Sequence, residues 1–315
     1  MWDNIELFED EDQHVTKFVF TKPDAVVETV LYRYPTYQER TVICCSIQSG
    51  CPMGCRFCGT GDYFVRNLTT DEIVSQVLHA IAHTGVRPHE MGRLQVMFMS
   101  MGEPLLNLKN LMEAIELLHD HAENAELLVS TSGPDVGFHK IQQFIDLSRR
   151  ISKVGLQFSI HESTDEKRDA LIPFKSKLSL SAIAQLGKYW SEQTGRPVFF
   201  NYCAHEGNSS DADANRLAEM FDNTHWNATV SVICERNNGM PATNEFQRQL
   251  AVDFSSKLVE RGFDVRVFDP AGQDTIGGGC GQLWYVQQWM KDNKDKVRPS
   301  IGHGKVMVHV PRSVK

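Results

Sequence analysis

Between residues 69 and 268, short apolar segments alternate with amphipathic helical patterns, and this alternation restricts the possible fold more than any other feature. The predicted strands are 94–101, 126–131, 154–160, 198–204, 228–234 and 264–268. The predicted helices lie at 69–83, 107–121, 138–149, 179–192, 211–221 and 244–261, with another at 281–291. Strands that alternate with helices form a parallel sheet with the helices packed outside it. The sequence therefore predicts an α/β fold with a complete or partial barrel of about six strand–helix units.

Three segments before this region are rich in β-branched and aromatic residues, and they predict strands at 15–20, 25–33 and 41–47. We expect them to form a small antiparallel N-terminal extension, followed by a loop at 48–67. Thr69-x-x-Glu72 and Ser163-x-x-Glu166 have the capping-box pattern that begins a helix. The predicted organisation is a β extension at 1–48, a barrel at 49–290 and a basic tail at 291–315.

Composition and charge restrict the class of protein. The chain has 315 residues, 41% of them hydrophobic, which is enough for a large core. It contains no apolar run of about 18 residues and begins with an acidic segment, so we expect a cytoplasmic protein. A net charge of −8 disfavours a strongly basic nucleic-acid binder. The tail still offers seven cations that could bind phosphates or form only a solvated surface: Lys291, Lys294, Lys296, Arg298, Lys305, Arg312 and Lys315.

Cys51, Cys55 and Cys58 form a Cys-x3-Cys-x2-Cys motif in the predicted loop. A structural zinc site uses four ligands, whereas three thiolates on a [4Fe–4S] cluster leave one iron open. That iron can bind the amino and carboxylate groups of S-adenosylmethionine (SAM), and an electron can then cleave the sulfonium to a 5′-deoxyadenosyl radical. The motif predicts this chemistry; the alternative is a zinc knuckle with a distant fourth ligand.

Polar residues follow three of the predicted strands, where the chemistry of such a barrel gathers. Gly102 allows close backbone approach, and Glu103 can accept hydrogen bonds from the SAM ammonium. Ser130 and the run from Ser159 through Ile160 to His161 could orient ribose or carboxylate. Ordinary turns or helix caps are the alternative.

Two further cysteines are candidates for redox chemistry. Cys280 lies in a glycine run, which suits a thiol that meets different partners, and Cys44 lies seven residues before the cluster motif. Both could instead be inert buried thiols. Cys45, Cys203 and Cys234 are interpreted as core residues.

Taken together, these motifs resemble the RlmN/Cfr family of radical SAM adenine methyltransferases, which act on C2 or C8 of adenine. The matching segments are Val27-Glu28-Thr29-Val30, Cys44, the three-cysteine motif, Arg66-Asn67-Leu68, Met101 to Asn107, Ser130 to Gly133, Ser159 to His161, and Cys280-Gly281-Gln282-Leu283. The resemblance covers nearly everything from about residue 15 onward. It implies a partial (β/α)6 radical SAM barrel, a [4Fe–4S] cluster and SAM.

The resemblance also implies residue roles. Cys280 would carry the methyl group, Cys44 would resolve the enzyme–substrate adduct through a transient disulfide, and Glu28 would accept a proton. The implied SAM contacts are Gly102, Glu103, Ser130, Ser159, Ile160, His161 and Asn237. The family's Asn-Pro dipeptide is missing near position 237, so Asn238 is an alternative to Asn237.

The implied substrate is an adenosine of ribosomal or transfer RNA, and the implied electron donor is a protein such as flavodoxin or ferredoxin. The family normally has an N-terminal accessory domain, whereas about fifteen residues precede the first predicted strand. We therefore expect the chemistry to carry over better than the substrate, and a smaller nucleotide is an alternative. The same motifs would also fit a radical SAM enzyme that transfers no methyl group, or a non-enzymatic iron–sulfur or zinc protein.

Overall fold

The computed structural model describes residues 2–61, 63–232, 245–269, 271–272, 275–278, 282–296 and 298–299. The strands are β1 (Asn4–Glu9), β2 (Val15–Lys22), β3 (Ala25–Arg33), β4 (Arg40–Cys45), β5 (Gln48–Gly50), β6 (Tyr63–Asn67), β7 (Arg93–Phe98), β8 (Glu126–Thr131), β9 (Val154–Ser159), β10 (Val198–Cys203), β11 (Trp226–Ser231), β12 (Val265–Phe268) and β13 (Arg298–Pro299). The helices are α1 (Thr70–Thr84), α2 (Leu108–His121), α3 (Phe138–Arg150), α4 (Asp165–Leu171), α5 (Leu180–Thr194), α6 (Asp211–Met220), α7 (Glu245–Glu260) and α8 (Trp284–Asp292).

One ten-stranded sheet organises the fold, in the order β1-β2-β3-β4-β7-β8-β9-β10-β11-β12. The first three pairings are antiparallel, and every pairing from β4 to β12 is parallel. The predicted α/β architecture is confirmed, including the antiparallel N-terminal strands. The sheet runs without a break through the predicted boundary at residue 48, because β4 pairs with β3 on one side and β7 on the other. The boundaries of the three predicted regions stay a prediction.

The central parallel strands are buried on alternate residues. In β8, β9 and β10 every second residue is buried and the others are half-buried. Successive side chains of a strand point to opposite faces. The buried set belongs to the main apolar core, and the half-buried set faces a cavity on the other side of the sheet.

Four of the described helices begin where a side chain caps the first turn. Thr69 forms the predicted capping box with Glu72, while Ser179 and Ser210 accept hydrogen bonds from backbone N–H groups of α5 and α6. Such caps satisfy N–H groups that have no partner within the helix. The predicted cap at Ser163 is wrong by one residue, because Thr164 caps α4 and the Ser163 hydroxyl donates to Asp213 instead.

Two more predictions are corrected by the structure. The segment 48–67 is not only a loop, since β5 and β6 pair within it and β13 adds a third strand. The first strand is β1 rather than the one at residue 15, and its mostly exposed residues explain why an apolar pattern was missing. In the part of the chain that the structure describes, no helix is long and apolar enough to span a membrane.

Candidate active site

A cavity of about 260 Å³ lies against the inner face of the parallel strands. The three-cysteine loop lines one part of it, and residues of β7 to β12 line most of the rest. The predicted residues Gly102, Glu103, Ser130, Ser159 and His161 all face this cavity, so residues from three separate segments meet the cysteine loop at one site.

The cysteine loop is held compactly by its own backbone. Cys51 N–H donates to the Tyr63 carbonyl at 2.8 Å, and Gly61 N–H donates to the Cys58 carbonyl at 2.9 Å. A Cβ on Gly61 would lie 2.0 Å from the Cys55 carbonyl oxygen, so only glycine allows this approach. The local sequence gives no signal for Gly61, because its importance depends on a backbone contact six residues away.

The three thiols occupy one surface without converging on one point. Cys51, Cys55 and Cys58 pack in the same small apolar cluster and line the same cavity. Among the described residues, no three His, Cys, Asp or Glu side chains lie close enough together to hold a single metal ion. In a [4Fe–4S] cluster held by three cysteines each thiolate binds a different iron, and these three side chains are the ones that would do so.

Arg168 is a buried cation near the cysteine loop. Burial raises the pKa of the Cys55 thiol, Cys58 and Glu103 raise it further, and the Arg168 guanidinium opposes that rise. The Arg168 side chain is buried, and its Nε has no hydrogen-bond partner among the described residues. A buried cation beside a thiol favours the negative form that iron binds. Arg168 was missed by the sequence analysis, since in the sequence it is one of several charges on a short helix.

Gly102 and Glu103 lie where β7 passes into α2. Gly102 has a φ of 97°, and a Cβ there would lie 2.7 Å from the Gln48 backbone nitrogen. The Gln48 amide oxygen accepts a hydrogen bond from Glu103 N–H at 2.8 Å. This close packing fixes the Glu103 backbone against the first residue of β5.

The Glu103 carboxylate has partners on the neighbouring strand. It accepts hydrogen bonds from the Thr131 hydroxyl and, at 2.8 Å, from Ser132 N–H. Burial raises the pKa of Glu103 to about 7, although these hydrogen bonds act in the opposite direction. The side chain is therefore rigid, and it faces the cavity that would hold the SAM ammonium.

Hydroxyl and amide groups form a second polar surface on the inner face. Ser130 Oγ lies 3.2 Å from Ser159 Oγ and accepts a hydrogen bond from Gln157 at 3.0 Å. On the next strands Ser231 donates to Asn201 at 3.0 Å. Gln157, Asn201 and Ser231 were missed. The sequence does contain a signal for these three residues, because they are polar residues in otherwise apolar strands.

His161 is held in one orientation at the end of β9. Its φ of 59° is left-handed, and its Nδ1 accepts the Cys203 backbone N–H at 3.2 Å. Phe57 of the cysteine loop packs edge-on against the imidazole at 4.8 Å. Ile160 beside it is buried in the main core and does not line the cavity, so its predicted SAM contact would be limited to its backbone.

Cys44 and Glu28 lie on the face of the sheet that the 275–278 segment covers. Cys44 packs in one small apolar cluster with Ile276 of that segment and with Met97, which lines the cavity. Glu28 is buried and paired with Lys17, and its backbone carbonyl accepts a hydrogen bond from the cavity residue Ser100. Cys280, Asn237 and Cys234 lie outside the described residues, so their predicted roles stay predictions.

Comparisons with known proteins identify the class that this barrel and cysteine loop define. Residues 45–210 match the Radical SAM superfamily. A solved radical SAM methyltransferase from Sphaerobacter thermophilus superposes with a TM-score of 0.74 at 29% identity, covering 88% of this chain and 80% of that one.

Curated relatives narrow the class further. The probable dual-specificity RNA methyltransferase RlmN of Petrotoga mobilis is 33% identical over 276 residues, which are 85% of this chain and 74% of that protein. The protein of the same description from Thermus thermophilus is 32% identical over 286 residues, which are 89% of this chain and 76% of that protein. The chain belongs to the RlmN family of radical SAM methyltransferases. Its cofactors are a [4Fe–4S] cluster and SAM, and the cavity carries the residue types that both require.

Proposed function

We propose that the chain methylates C2 of an adenine in ribosomal or transfer RNA, with Cys280 as the methyl carrier and Cys44 as the resolving thiol. The observation that carries this proposal is the position of Cys44. Its side chain packs in one cluster with Met97 of the cavity wall and Ile276 of the segment leading to residue 280. The relatives named above are described as RNA methyltransferases, which supports RNA as the substrate.

The first step uses an ordinary nucleophilic displacement. The Cys280 thiolate attacks the methyl carbon of one SAM, so a sulfur–carbon bond forms and S-adenosylhomocysteine leaves. A thiolate carries out this step readily, whereas the amidine carbon C2 of adenine is too poor a nucleophile to do so. The methyl group is thus bound covalently to Cys280 before it is transferred to the substrate.

Cys51, Cys55 and Cys58 would hold a [4Fe–4S] cluster, which after reduction by one electron from an external donor would supply a 5′-deoxyadenosyl radical and methionine from a second SAM. Glu103 would orient this SAM by accepting from its ammonium, and Ser159 by contact with its polar groups. The methyl group on Cys280 loses one hydrogen atom to the radical, and 5′-deoxyadenosine forms. The remaining carbon radical adds to adenine C2.

The adduct is released by residues on the covered face of the sheet. Glu28 takes the C2 proton, and the ring regains its aromaticity once the adduct has also lost one electron, which the oxidised cluster would accept. The Cys44 thiolate then attacks the Cys280 sulfur. A disulfide forms as the sulfur–carbon bond breaks, and the released carbon takes a proton to become the methyl product. A cellular thiol reductant restores both cysteines.

Anaerobic incubation with methyl-labelled SAM, a reductant and total cellular RNA tests the proposal. We expect label in 2-methyladenosine by nucleoside mass spectrometry, with both S-adenosylhomocysteine and 5′-deoxyadenosine as products. A Cys51→Ala variant, which removes a cluster ligand, serves as the control and should give no labelled nucleoside. Formation of 5′-deoxyadenosine without S-adenosylhomocysteine would contradict methyl transfer and favour another radical reaction. Label confined to free nucleotides would contradict RNA as the substrate.

A further inference from the structure

A buried ion pair joins β2 and β3 on the face of the sheet that carries Cys44. Lys17 Nζ lies 2.7 Å from Glu28 Oε2, and the two side chains are 0% and 1% exposed. Removing two charges from water costs more than their attraction returns unless the remaining polar atoms also find partners. The additional hydrogen-bond partners of the two side chains therefore indicate which segments the ion pair positions.

Each member of the pair binds a different part of the C-terminal region. Lys17 Nζ donates to the Gly277 carbonyl and lies 5.5 Å from the centre of the Tyr285 ring. The second oxygen of Glu28 accepts the Val286 backbone N–H at 3.2 Å. Gly277 precedes residues 279–281 and Val286 follows them, so the pair is bonded to the backbone on both sides of that stretch.

The strand pairing places Lys17 in one row with Cys44 and with the cavity residue Met97. Lys17 pairs with Val30, Val30 pairs with Cys44, and Cys44 pairs with Met97 across four neighbouring strands. Paired residues on adjacent strands share a face of the sheet. Lys17 and Cys44 are thus on the same face, separated by one strand, and the 275–278 segment covers both through Gly277 and Ile276.

We propose that Lys17 is a positioning residue, which fixes the Glu28 carboxylate and the Gly277 backbone in a single arrangement. This inference rests on the proposed function, because it concerns the proton acceptor and the chain that leads to the methyl carrier. In this role Lys17 acts through Glu28 and Gly277 and not directly on a reacting atom. Its ammonium instead sets the distance between Glu28 and the covering segment, and a well-packed apolar pair at these positions could stabilise the fold equally well without doing so.

Hydrogen–deuterium exchange tests the coupling without any cofactor. Lys17→Met leaves Glu28 buried without its cation and could unfold the protein, so Lys17→Met combined with Glu28→Gln is the second variant. In this double variant the amide carbonyl introduced at position 28 can still accept from Val286 N–H, whereas nothing donates to Gly277. We expect about tenfold faster exchange at the Ile276 and Gly278 amides, which donate to Gly272, with little change at Val286. Lys22→Met, which breaks a pair of the same 2.7 Å length on β2, is the matched control and should leave the segment unchanged.

Product ratios test the positioning role. With the wild-type protein, 5′-deoxyadenosine and methylated RNA should form in nearly equal amounts. A misplaced proton acceptor slows release of the adduct after 5′-deoxyadenosine has formed. During the first turnover, Lys17→Met should therefore raise the ratio of 5′-deoxyadenosine to released methylated RNA about tenfold. Lys17→Arg, which keeps the cation, should restore much of the wild-type ratio, and Lys22→Met should match the wild type.

Each outcome decides the inference. Unchanged exchange at Ile276 and Gly278 in the double variant would overturn the coupling. Faster amide exchange with an unchanged ratio of 5′-deoxyadenosine to methylated RNA would show that Lys17 has only a structural role, and would overturn its positioning role. If the wild-type protein methylates no RNA, the proposed function fails by itself, and the exchange measurement still decides whether Lys17 holds the segment.

Discussion

The Nδ1 atom of His161 accepts the backbone N–H of Cys203 at 3.2 Å, across the ends of two neighbouring parallel strands. An imidazole nitrogen that accepts cannot carry a proton, so the neutral ring must carry its proton on Nε2. The left-handed backbone at His161 and the edge contact with Phe57 fix the same orientation. The ring therefore presents an N–H donor, and not a cation, to its surroundings.

From this relationship we expect His161 to stay neutral throughout the physiological range. Burial, with smaller effects from Arg168 and His205, lowers its pKa to about 3. The unfolded state binds a proton below about pH 6.5, so this residue destabilises the fold as pH falls from about 6.5 toward 3 and has no such effect above. Imidazole ¹⁵N chemical shifts measured between pH 5 and 8 should show no titration at this ring. A midpoint near pH 6.5 would contradict the assignment.

Gly102→Ala should damage the site more than an alanine at an ordinary left-handed glycine. The new Cβ would lie 2.7 Å from the Gln48 backbone, in a residue with a φ of 97°. We expect a loss of about 2–4 kcal/mol in the free energy of unfolding, together with weaker SAM binding. Gly85→Ala is the matched control, because Gly85 has a φ of 65° with nothing within 4 Å, and it should cost about 1 kcal/mol. Equal losses in urea unfolding would show that the Gln48 contact is not restrictive.

Cys55→Ala should abolish the cluster, whereas Cys203→Ala should not. Both cysteines line the cavity, but only Cys55 belongs to the three-cysteine loop. The His161 contact with Cys203 uses its backbone N–H, which alanine retains. Iron content and visible absorption after anaerobic reconstitution should fall close to background in Cys55→Ala and stay near the wild-type level in Cys203→Ala. Loss of iron in both variants would mean that the thiol of Cys203 also supports the cluster.

Cys44→Ala should trap the covalent adduct between enzyme and RNA. Without the resolving thiol, the sulfur–carbon bond to Cys280 has no attacking group. Mass spectrometry after nuclease digestion should show a nucleotide on the protein, and turnover should fall at least about 100-fold. Cys45→Ala is the control, because its side chain is buried in the main core on the other face of β4. Free turnover by Cys44→Ala would remove the proposed role.

Glu72→Gln should destabilise the protein only above acidic pH. Burial opposes the shift, but hydrogen bonds from Arg66, Lys22 and the Thr69 backbone lower the pKa of Glu72 to about 2. A lowered pKa contributes stability above the unfolded value near 4.5, and that contribution is lost as pH falls toward 2. We expect a difference of about 1–2 kcal/mol from the wild type at pH 7, after allowance for solvent screening. The difference should shrink progressively below about pH 4.5 in chemical unfolding experiments, and a constant difference would contradict the ion-pair network.

Local sequence patterns predicted the parts of the fold that depend on neighbours in the chain. The strand at 126–131 was predicted with its observed bounds, and Thr69 was identified as the cap of α1. The strands β5 and β6 were missed because they have three and five residues and pair across the cysteine loop, which leaves little periodic pattern. β-Strand propensity predicts strands this short poorly.

In the candidate site, too, the residues that local sequence patterns predicted differ from those that depend on tertiary contacts. Glu103 and His161 were found because polar residues that follow buried strands gather at one end of a parallel sheet. Thr131 was seen only as part of a strand end, although its hydroxyl holds Glu103. A lysine within a strand is ordinarily taken as solvent-facing, so nothing near Lys17 in the chain signalled its burial. Its partners, Glu28 and Gly277, are brought to it by the tertiary fold alone.

The bond from Lys17 to Gly277 joins positions 260 residues apart in the chain. During synthesis the N-terminal strands leave the ribosome long before the covering segment exists, so this lysine and its carboxylate spend that interval without their final backbone partners. A contact of such long range requires the closure of a long loop, which slows its formation. A nascent chain that stalls before residue 277 would contain the cysteine loop but lack the carbonyl that Lys17 binds, so this contact can form only near the end of synthesis.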